Sequence, residues 1–175
     1  KTNLGNHMPS LVITGASSGI GHATAKHFAE AGFTVINLSR GTCDVAGVIN
    51  ISCDLTDPDF MTHIESDLNA GIEDAKTICL VHNAARLAHD SVADVSASDL
   101  RSVYEINLIA PAVLNRALLP AMAVDSSILY VGSTLGEKAV PGSFSYVTSK
   151  HATIGMMRAT CQDLAGSGVH TACIN

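Results

Sequence analysis

Six short, almost uninterrupted apolar runs alternate along this chain with longer segments of helical character. Continuous apolar runs of this length predict strands that are buried on both faces, as in a parallel sheet. We expect strands over Ser10–Thr14, Thr34–Leu38, Val48–Cys53, Thr77–His82, Ser127–Val131 and Val169–Ile174. We expect helices over Ile20–Ala31, Pro58–Ala70, Ser98–Leu119 and Ser145–Ala165. Because strand and helix alternate, the pattern predicts a doubly wound, three-layer α/β fold with a parallel sheet.

The limits of this fold also have signals in the sequence. Thr56 and Asp57 precede Pro58, which predicts a cap ahead of a first-turn proline. The first nine residues, Lys1–Pro9, are polar, and they resemble a tag remnant before a native start at Met8. We therefore expect one domain over residues 10–175.

Composition excludes several classes of function. The chain is 47% hydrophobic with a formal charge of −6, which argues against nucleic acid or an anionic membrane as the main partner. No apolar run approaches the length of a membrane span. The five cysteines are an odd number without a CxxC pair, which favours free thiols in a reducing cytoplasm over a disulfide framework. The eight histidines are scattered, so no metal site is expected.

A glycine-rich turn, Thr14–Gly21, joins the first predicted strand to the first predicted helix. Glycines at such a turn allow a sharp bend and a close approach of backbone to a pyrophosphate, and the helix N-terminus then faces the phosphates. The spacing G-x3-G-x-G differs from the commoner G-x-G-x-x-G, and the competing interpretation is a plain structural turn. We expect cofactor contacts from Gly15, Ser17, Ser18, Gly19, Ile20 and Gly21.

The end of the second predicted strand bears on which dinucleotide is bound. Dinucleotide-binding folds for NAD carry a carboxylate here, whereas this chain has none and offers Arg40 as a cation for a 2′-phosphate. NADP(H) is therefore favoured and NAD(H) stays possible, since Arg40 could also be an ordinary surface arginine. Asp54 and Leu55 follow the third strand, where Asp54 would contact the adenine edge or serve only as a turn residue.

Tyr146 and Lys150 stand four residues apart at the start of the last predicted helix, so their side chains share one face. A phenol titrates near ~10 in water, and a neighbouring ammonium favours its ionised form. The pair therefore suits acid–base chemistry near neutrality. Such a pair alone also occurs by chance, so its weight depends on the motifs around it.

Several motifs occur together and in order: the glycine turn, Asn83-Ala84, Asn107, Ser133 and the Tyr146–Lys150 pair. Over nearly all of residues 10–175 the chain resembles the classical short-chain dehydrogenase/reductase family. The resemblance implies a Rossmann-like fold, with Asn83, Ala84, Tyr146 and Lys150 added to the cofactor contacts.

The same resemblance implies a catalytic tetrad of Asn107, Ser133, Tyr146 and Lys150. Tyr146 would exchange a proton with the substrate oxygen, and Ser133 would hydrogen-bond that oxygen. Lys150 would bind the nicotinamide ribose and favour the ionised phenol, while Asn107 would hold a water of the proton relay.

Ala85 departs from the family pattern, and Pro111 adds a feature near Asn107. Ala85 stands where the family has glycine, so we expect a local backbone adjustment rather than loss of the cofactor, with His82 as a packing residue. Pro111 lacks the N–H that would bond the Asn107 carbonyl in a helix. That carbonyl would then be free for a relay water, or Pro111 simply occupies the first turn of a new helix.

These observations favour an oxidoreductase that transfers hydride between a nicotinamide and a carbonyl or alcohol substrate. The alternatives are a non-catalytic NADP(H)-binding regulatory or sensor protein and, less favoured, a nucleotide-sugar epimerase or dehydratase. The partners expected are a small-molecule substrate and, through the last two long helices, a second copy in a homodimer or homotetramer. Against the family pattern, the chain is expected to lack the C-terminal substrate loop and last strand.

Overall fold

Within residues 8–175, this protein forms a sheet of six strands, all parallel, in the order β3-β2-β1-β4-β5-β6. A computed structural model describes residues 8–175. The strands are β1 (Ser10–Thr14), β2 (Thr34–Ser39), β3 (Ile49–Ser52), β4 (Ile78–His82), β5 (Ser127–Val131) and β6 (His170–Ile174). The predicted doubly wound α/β class is confirmed, and β1 and β5 have the predicted bounds. In a parallel sheet every strand ends at the same edge, so the segments after β1, β2, β4 and β5 converge there.

Helices cover both faces of the sheet and complete the core. They are α1 (Gly19–Glu30), α2 (Phe60–Ile72), α3 (Ala97–Tyr104), α4 (Ala110–Leu118) and α5 (Phe144–Asp163). One apolar cluster joins α2, α4 and the inner residues of α5 to one face, with Leu80, Ile128 and Tyr130 nearly inaccessible. A second cluster packs Ala25 of α1 against Leu11 and Ile13 on the opposite face. Branched aliphatic side chains fill both layers, as the near-continuous apolar runs indicate.

The predicted start of α2 at Pro58 is wrong, because the helix begins at Phe60. Asp54 and Asp57 each accept a backbone N–H two residues ahead, from Thr56 at 3.0 Å and from Asp59 at 2.9 Å. The bond to Asp57 is the one that a capping residue makes, but Pro58 and Asp59 form a separate turn, closed by the Phe60 N–H and the Asp57 carbonyl at 3.1 Å, before the helix begins. Pro58 therefore lies in a turn and not at the first helical position.

The predicted helix Ser98–Leu119 is not continuous. A π-helical turn, Glu105–Ile109, separates α3 from α4, and a 3₁₀ turn (Leu119–Ala121) ends the region. Pro111 lies in the first turn of α4 and is buried there. Proline has no N–H to donate to an α-helical hydrogen bond, and the helix widens into the π turn directly before it. Both interpretations of Pro111 are compatible with this position.

The fold extends two residues beyond the predicted domain start. The Pro9 carbonyl accepts the Thr34 N–H at 3.0 Å, and the Met8 carbonyl accepts the Lys76 N–H at 3.2 Å. The remainder of the predicted tag remnant, residues 1–7, lies outside the described residues. Within residues 8–175, no helix is both long and apolar enough to cross a bilayer.

Candidate active site

The glycine turn after β1 has the tight geometry that its sequence predicts. Gly15 has a φ of +72°, a conformation that a side chain would strain. A Cβ on Gly21 would overlap the Gly15 carbonyl oxygen and Asn83 Nδ2, so only glycine allows α1 to start this close to the turn. Ser18 begins α1 with extended backbone and no side-chain cap, and no acidic residue occupies the first helical turn. The free N–H groups at this end of α1 suit an anionic phosphate.

Asn83 and Thr14 join the segment after β4 to the glycine turn. Asn83 Nδ2 donates to the carbonyls of Thr14 and Gly15, both at 3.0 Å. Thr14 Oγ1 accepts the N–H groups of Asn83 at 3.1 Å and Ala84 at 3.0 Å. Asn83 and Ala84 therefore fix the position of the segment after β4 relative to the glycine turn.

A cavity of about 460 Å³ opens at this edge of the sheet. Eight of the residues predicted to contact the cofactor line it: Gly15, Ser17, Ser18, Arg40, Asp54, Leu55, Asn83 and Ala84. Its other lining residues are Leu38, Ser39, Gly41, Cys53, Ala85 and Ile106. Five predicted cofactor contacts do not line it: Gly19, Ile20, Gly21, Tyr146 and Lys150. The cavity thus brings together predicted contacts from the glycine turn and from the ends of β2, β3 and β4, whereas those on α5 lie outside its lining. Sequence analysis missed the lining residue Ile106 because no local motif marks it.

Arg40 and Asp54 lie on neighbouring loops at one end of the cavity. Hydrogen bonds from the Thr56 backbone and hydroxyl hold the pKa of Asp54 below its usual range, and the charge of Arg40 adds to this. The Asp54 side chain therefore makes the turn that sequence analysis left as the alternative role, while its carboxylate still borders the cavity. Arg40 is exposed and projects a fixed positive charge at this end.

Asn107 lies in the π-helical turn and is held from three directions. Its Oδ1 accepts the Arg86 N–H at 2.8 Å, and its Nδ2 donates to the Arg86 carbonyl at 3.2 Å and to Ser149 Oγ at 2.9 Å. Ser149 in turn donates to the Tyr146 carbonyl at 2.8 Å. Ser149, which sequence analysis missed, therefore connects the predicted tetrad residue Asn107 to α5 between Tyr146 and Lys150.

Lys150 and Tyr146 do share one face of α5, with Lys150 Nζ 5.6 Å from the centre of the Tyr146 ring. Lys150 is buried, and its Nζ donates to the Val131 carbonyl of β5 at 2.7 Å. Burial lowers the pKa of the Lys150 ammonium. The ammonium is thus placed between the end of β5 and the phenol-bearing face of α5.

Ser133 lies two residues beyond Val131 and starts a short 3₁₀ turn (Thr134–Gly136). Its Oγ accepts the Leu135 N–H at 3.1 Å. A Cβ on Gly136 would lie 3.0 Å from the Lys150 carbonyl oxygen, so this turn packs directly on α5. The four predicted tetrad residues accordingly come from the π turn, the end of β5 and the first turns of α5, which meet at one edge of the sheet.

In the segment after β4, Ala85 occupies the position at which the family pattern has glycine. Within residues 8–175, Asp125 is the one non-glycine residue with a positive φ, so Ala85 turns without the left-handed conformation. His82, directly before Asn83, is buried, and its ring packs on Tyr130 with 5.0 Å between centroids. Its Nε2 pairs with Asn115 Oδ1 at 2.7 Å, and its Nδ1 has no hydrogen-bond partner among the described residues. These contacts agree with a packing role for His82.

Burial of His82 predicts an acid sensitivity of the fold. Burial lowers the pKa of His82 to about 4, although the Asn115 hydrogen bond acts in the opposite direction. An unfolded histidine binds its proton near ~6.5, so between these values the unfolded chain holds a proton that the folded chain lacks. Stability from this residue is therefore lost as the pH falls, by about 3 kcal/mol between pH 7 and pH 4.

Replacing His82 by Phe should flatten this dependence, because the ring contact with Tyr130 is retained and the titrating group is gone. Urea unfolding of both proteins at several pH values measures the difference, and all other groups cancel in the comparison. Parallel curves for parent and variant would show that His82 titrates normally in the folded protein.

Comparisons with known proteins agree with this geometry. A family model described as short chain dehydrogenase matches residues 10–175. Protein FixR of Bradyrhizobium diazoefficiens is 30% identical over 174 residues, covering 91% of this chain and 63% of that protein. The 1-deoxy-11-beta-hydroxypentalenate dehydrogenase of Streptomyces exfoliatus is 29% identical over 176 residues, again covering 91% of this chain and 63% of that protein.

Similarity extends to solved structures. A 4-hydroxyisoleucine dehydrogenase complexed with NADH superimposes with a TM-score of 0.85 at 26% identity, covering 95% of this chain and 74% of that one. The chain spans less than two thirds of the length of the two curated relatives, at 63% of each.

Proposed function

Because the chain belongs to the short-chain dehydrogenase family, we propose that it is an NADP(H)-dependent oxidoreductase acting on a carbonyl or alcohol group. One observation supports this most: Ser149 connects Asn107 to α5 at Tyr146, and Lys150 Nζ lies 5.6 Å from the centre of the Tyr146 ring. The proposal includes a cytoplasmic location, supported by five free cysteines, and a homodimer or homotetramer built on α4 and α5.

The residues that line the cavity fit the adenosine and phosphate groups of a dinucleotide. The start of α1 and the backbone of the glycine turn would hold the phosphates. Arg40 would pair with a 2′-phosphate, and Asp54 with Leu55 would border the adenine. Asn83 and Ala84 would continue the site toward the tetrad. Bound in this way, the nicotinamide would supply or accept the hydride.

The tetrad would handle the proton. The Tyr146 hydroxyl would give its proton to the substrate oxygen in reduction, or take it in oxidation, and the Ser133 hydroxyl would hydrogen-bond the same oxygen. The Lys150 ammonium, 5.6 Å from the centre of the Tyr146 ring, would stabilise the phenolate that remains. Asn107 would hold a water that returns a proton from solvent. The test is oxidation of NADPH and NADH by the full-length protein against a panel of carbonyl compounds.

Arg40 makes the cofactor preference testable. Replacing Arg40 by Ala should weaken NADPH binding about tenfold, since a charged hydrogen bond to phosphate at an exposed site is lost. NADH affinity should change little, because that dinucleotide offers no 2′-phosphate. Fluorescence titration of parent and variant with each cofactor measures both. A parent protein that prefers NADH, as the relative solved with NADH would suggest, would refute the role proposed for Arg40.

A further inference from the structure

A completely buried amide, Asn37, precedes Leu38, which lines the cavity, and has no part in the roles proposed so far. It belongs to β2, three residues before Arg40, and it is fully inaccessible to solvent. A buried amide must be hydrogen-bonded or it destabilises the fold, so its partners show what it holds in place.

The partners of Asn37 lie on the glycine turn, on the loop after β2 and on β3. Its Oδ1 accepts the Ala16 N–H of the glycine turn at 2.9 Å. Its Nδ2 donates to the Gly41 carbonyl at 3.2 Å and to Asn50 Oδ1 at 2.9 Å. The oxygen faces a donor and the nitrogen faces two acceptors, so the amide has one satisfied orientation. One side chain thereby connects the phosphate-facing turn with the residue next to Arg40.

Asn50 completes the pair from β3, where it lies opposite Asn37 in the strand register. Its Oδ1 accepts the Cys43 N–H at 2.8 Å in addition to Asn37 Nδ2. Its Nδ2 donates to the carbonyls of Cys43 at 3.0 Å and Val48 at 3.3 Å. The loop of residues 40–48 is therefore bound by the two asparagines at three points along its length: Gly41, Cys43 and Val48.

The two loops also pack on each other. A Cβ on Gly41 would lie 2.9 Å from Ser17 Cβ, so the backbone next to Arg40 rests against the glycine turn. Arg40 itself is exposed and has a flexible side chain, so the course of its backbone decides where the guanidinium can reach. The amide pair sets that course relative to the phosphate-facing turn.

We propose that Asn37 and Asn50 act as positioning residues that set the preference for a 2′-phosphorylated dinucleotide by holding Arg40 in register with the glycine turn. This inference rests on the proposed function. Arg40 supplies the positive charge that would pair with the 2′-phosphate, whereas Asn37 and Asn50 position that charge and need not touch the cofactor. If the loop is already ordered before binding, less of the binding free energy is lost to ordering it, and affinity for the phosphate is higher.

The test uses Asn50→Ala in the full chain, because Asn50 is exposed on an edge strand and its loss leaves the Asn37 bond to Ala16 in place. Titration with NADPH and NADH gives the ratio of the two dissociation constants. We expect NADPH to bind about five- to tenfold more weakly and NADH to change less than about twofold. In an Arg40→Ala background, Asn50→Ala should leave the ratio unchanged, because its effect passes through Arg40.

Ser126→Ala is the matched control for stability. Ser126 is buried directly before β5, at the amino ends of the strands and away from the site, where its Oγ accepts the Ile78 N–H at 3.1 Å. Its loss should lower the melting temperature without changing the ratio.

Each result has a definite consequence. An unchanged ratio in Asn50→Ala, or an equal loss with and without Arg40, would overturn the positioning role and leave the proposed function standing. Failure of the parent chain to bind either dinucleotide would remove the proposed function and this inference with it.

Discussion

Replacing Tyr146 by Phe is expected to lower kcat for carbonyl reduction by about 10²- to 10⁴-fold, the range that a positioned acid or base contributes. The substitution removes only the hydroxyl. The ring next to Lys150 and the hydrogen bond from the Ser149 hydroxyl to the Tyr146 carbonyl are therefore retained. NADPH binding should therefore stay within about twofold of the parent value. A loss in kcat at unchanged cofactor affinity is the expected signature of a group that acts in the chemical step.

Tyr130→Phe is the matched control, because it removes a second phenolic hydroxyl away from the tetrad. Tyr130 is buried, and its hydroxyl accepts from Asn115 at 2.7 Å and pairs with Thr160 at 3.0 Å. Its loss should cost about 1 kcal/mol of stability with little effect on kcat. Steady-state rates and urea unfolding of both variants make the comparison. Turnover by Tyr146→Phe equal to that of the parent would remove the proposed mechanism.

Replacing Gly21 by Ala is expected to weaken NADPH binding by about a hundredfold or more and to lower the free energy of unfolding by about 3 kcal/mol. The added methyl would overlap the Gly15 carbonyl and the Asn83 amide, both of which belong to the tightest part of the site. Neither can withdraw cheaply, since Asn83 is bonded to Thr14 and Gly15 and the turn is bonded to β2 through the Gly15 N–H and Leu38 carbonyl at 3.0 Å. The turn and the start of α1 must therefore separate.

Gly155→Ala tests whether the effect is specific to this contact. Gly155 lies within α5, where an added Cβ would have no described atom within 4 Å apart from the neighbouring backbone of its own helix. Alanine is favoured over glycine in a helix, so this variant should gain about 0.5–1 kcal/mol and bind NADPH normally. Cofactor titration and chemical denaturation of the two variants separate the cases. A Gly21→Ala protein with parental affinity would show that the turn can relax, contrary to the crowding described.

The strands were predictable because each buried strand is a local apolar run, and β1 and β5 begin and end where the sequence indicates. The start of α2 was not, because a capping bond from the Asp59 N–H to Asp57 also forms in the turn over residues 57–60 that precedes the helix. The π turn at Glu105–Ile109 was missed because the amphipathic pattern hardly changes across it.

The site divides in a similar way. Arg40, Asn83 and the Tyr146–Lys150 pair stand in recognisable motifs, so their roles could be proposed from the residues and the family resemblance. Asn37, Asn50 and Ser149 belong to no motif, and each has a partner distant along the chain: Asn37 and Asn50 are 13 positions apart, and Ser149 lies 42 positions from Asn107. Only after the strands are aligned do these side chains find each other.

By itself, the amino-acid sequence determined the α/β class, the parallel sheet and the identity of the residues placed at its carboxyl edge. The fold class and the sheet follow from local signals, namely apolar periodicity and the conformational freedom of glycine, whereas the tetrad residues were identified through the family resemblance. The tertiary structure alone decided which buried amides hold the Arg40 loop, how Ser149 links Asn107 to α5, and which predicted contacts line the cavity. Those properties depend on hydrogen bonds between distant segments, whose geometry exists only once the sheet has brought the segments together.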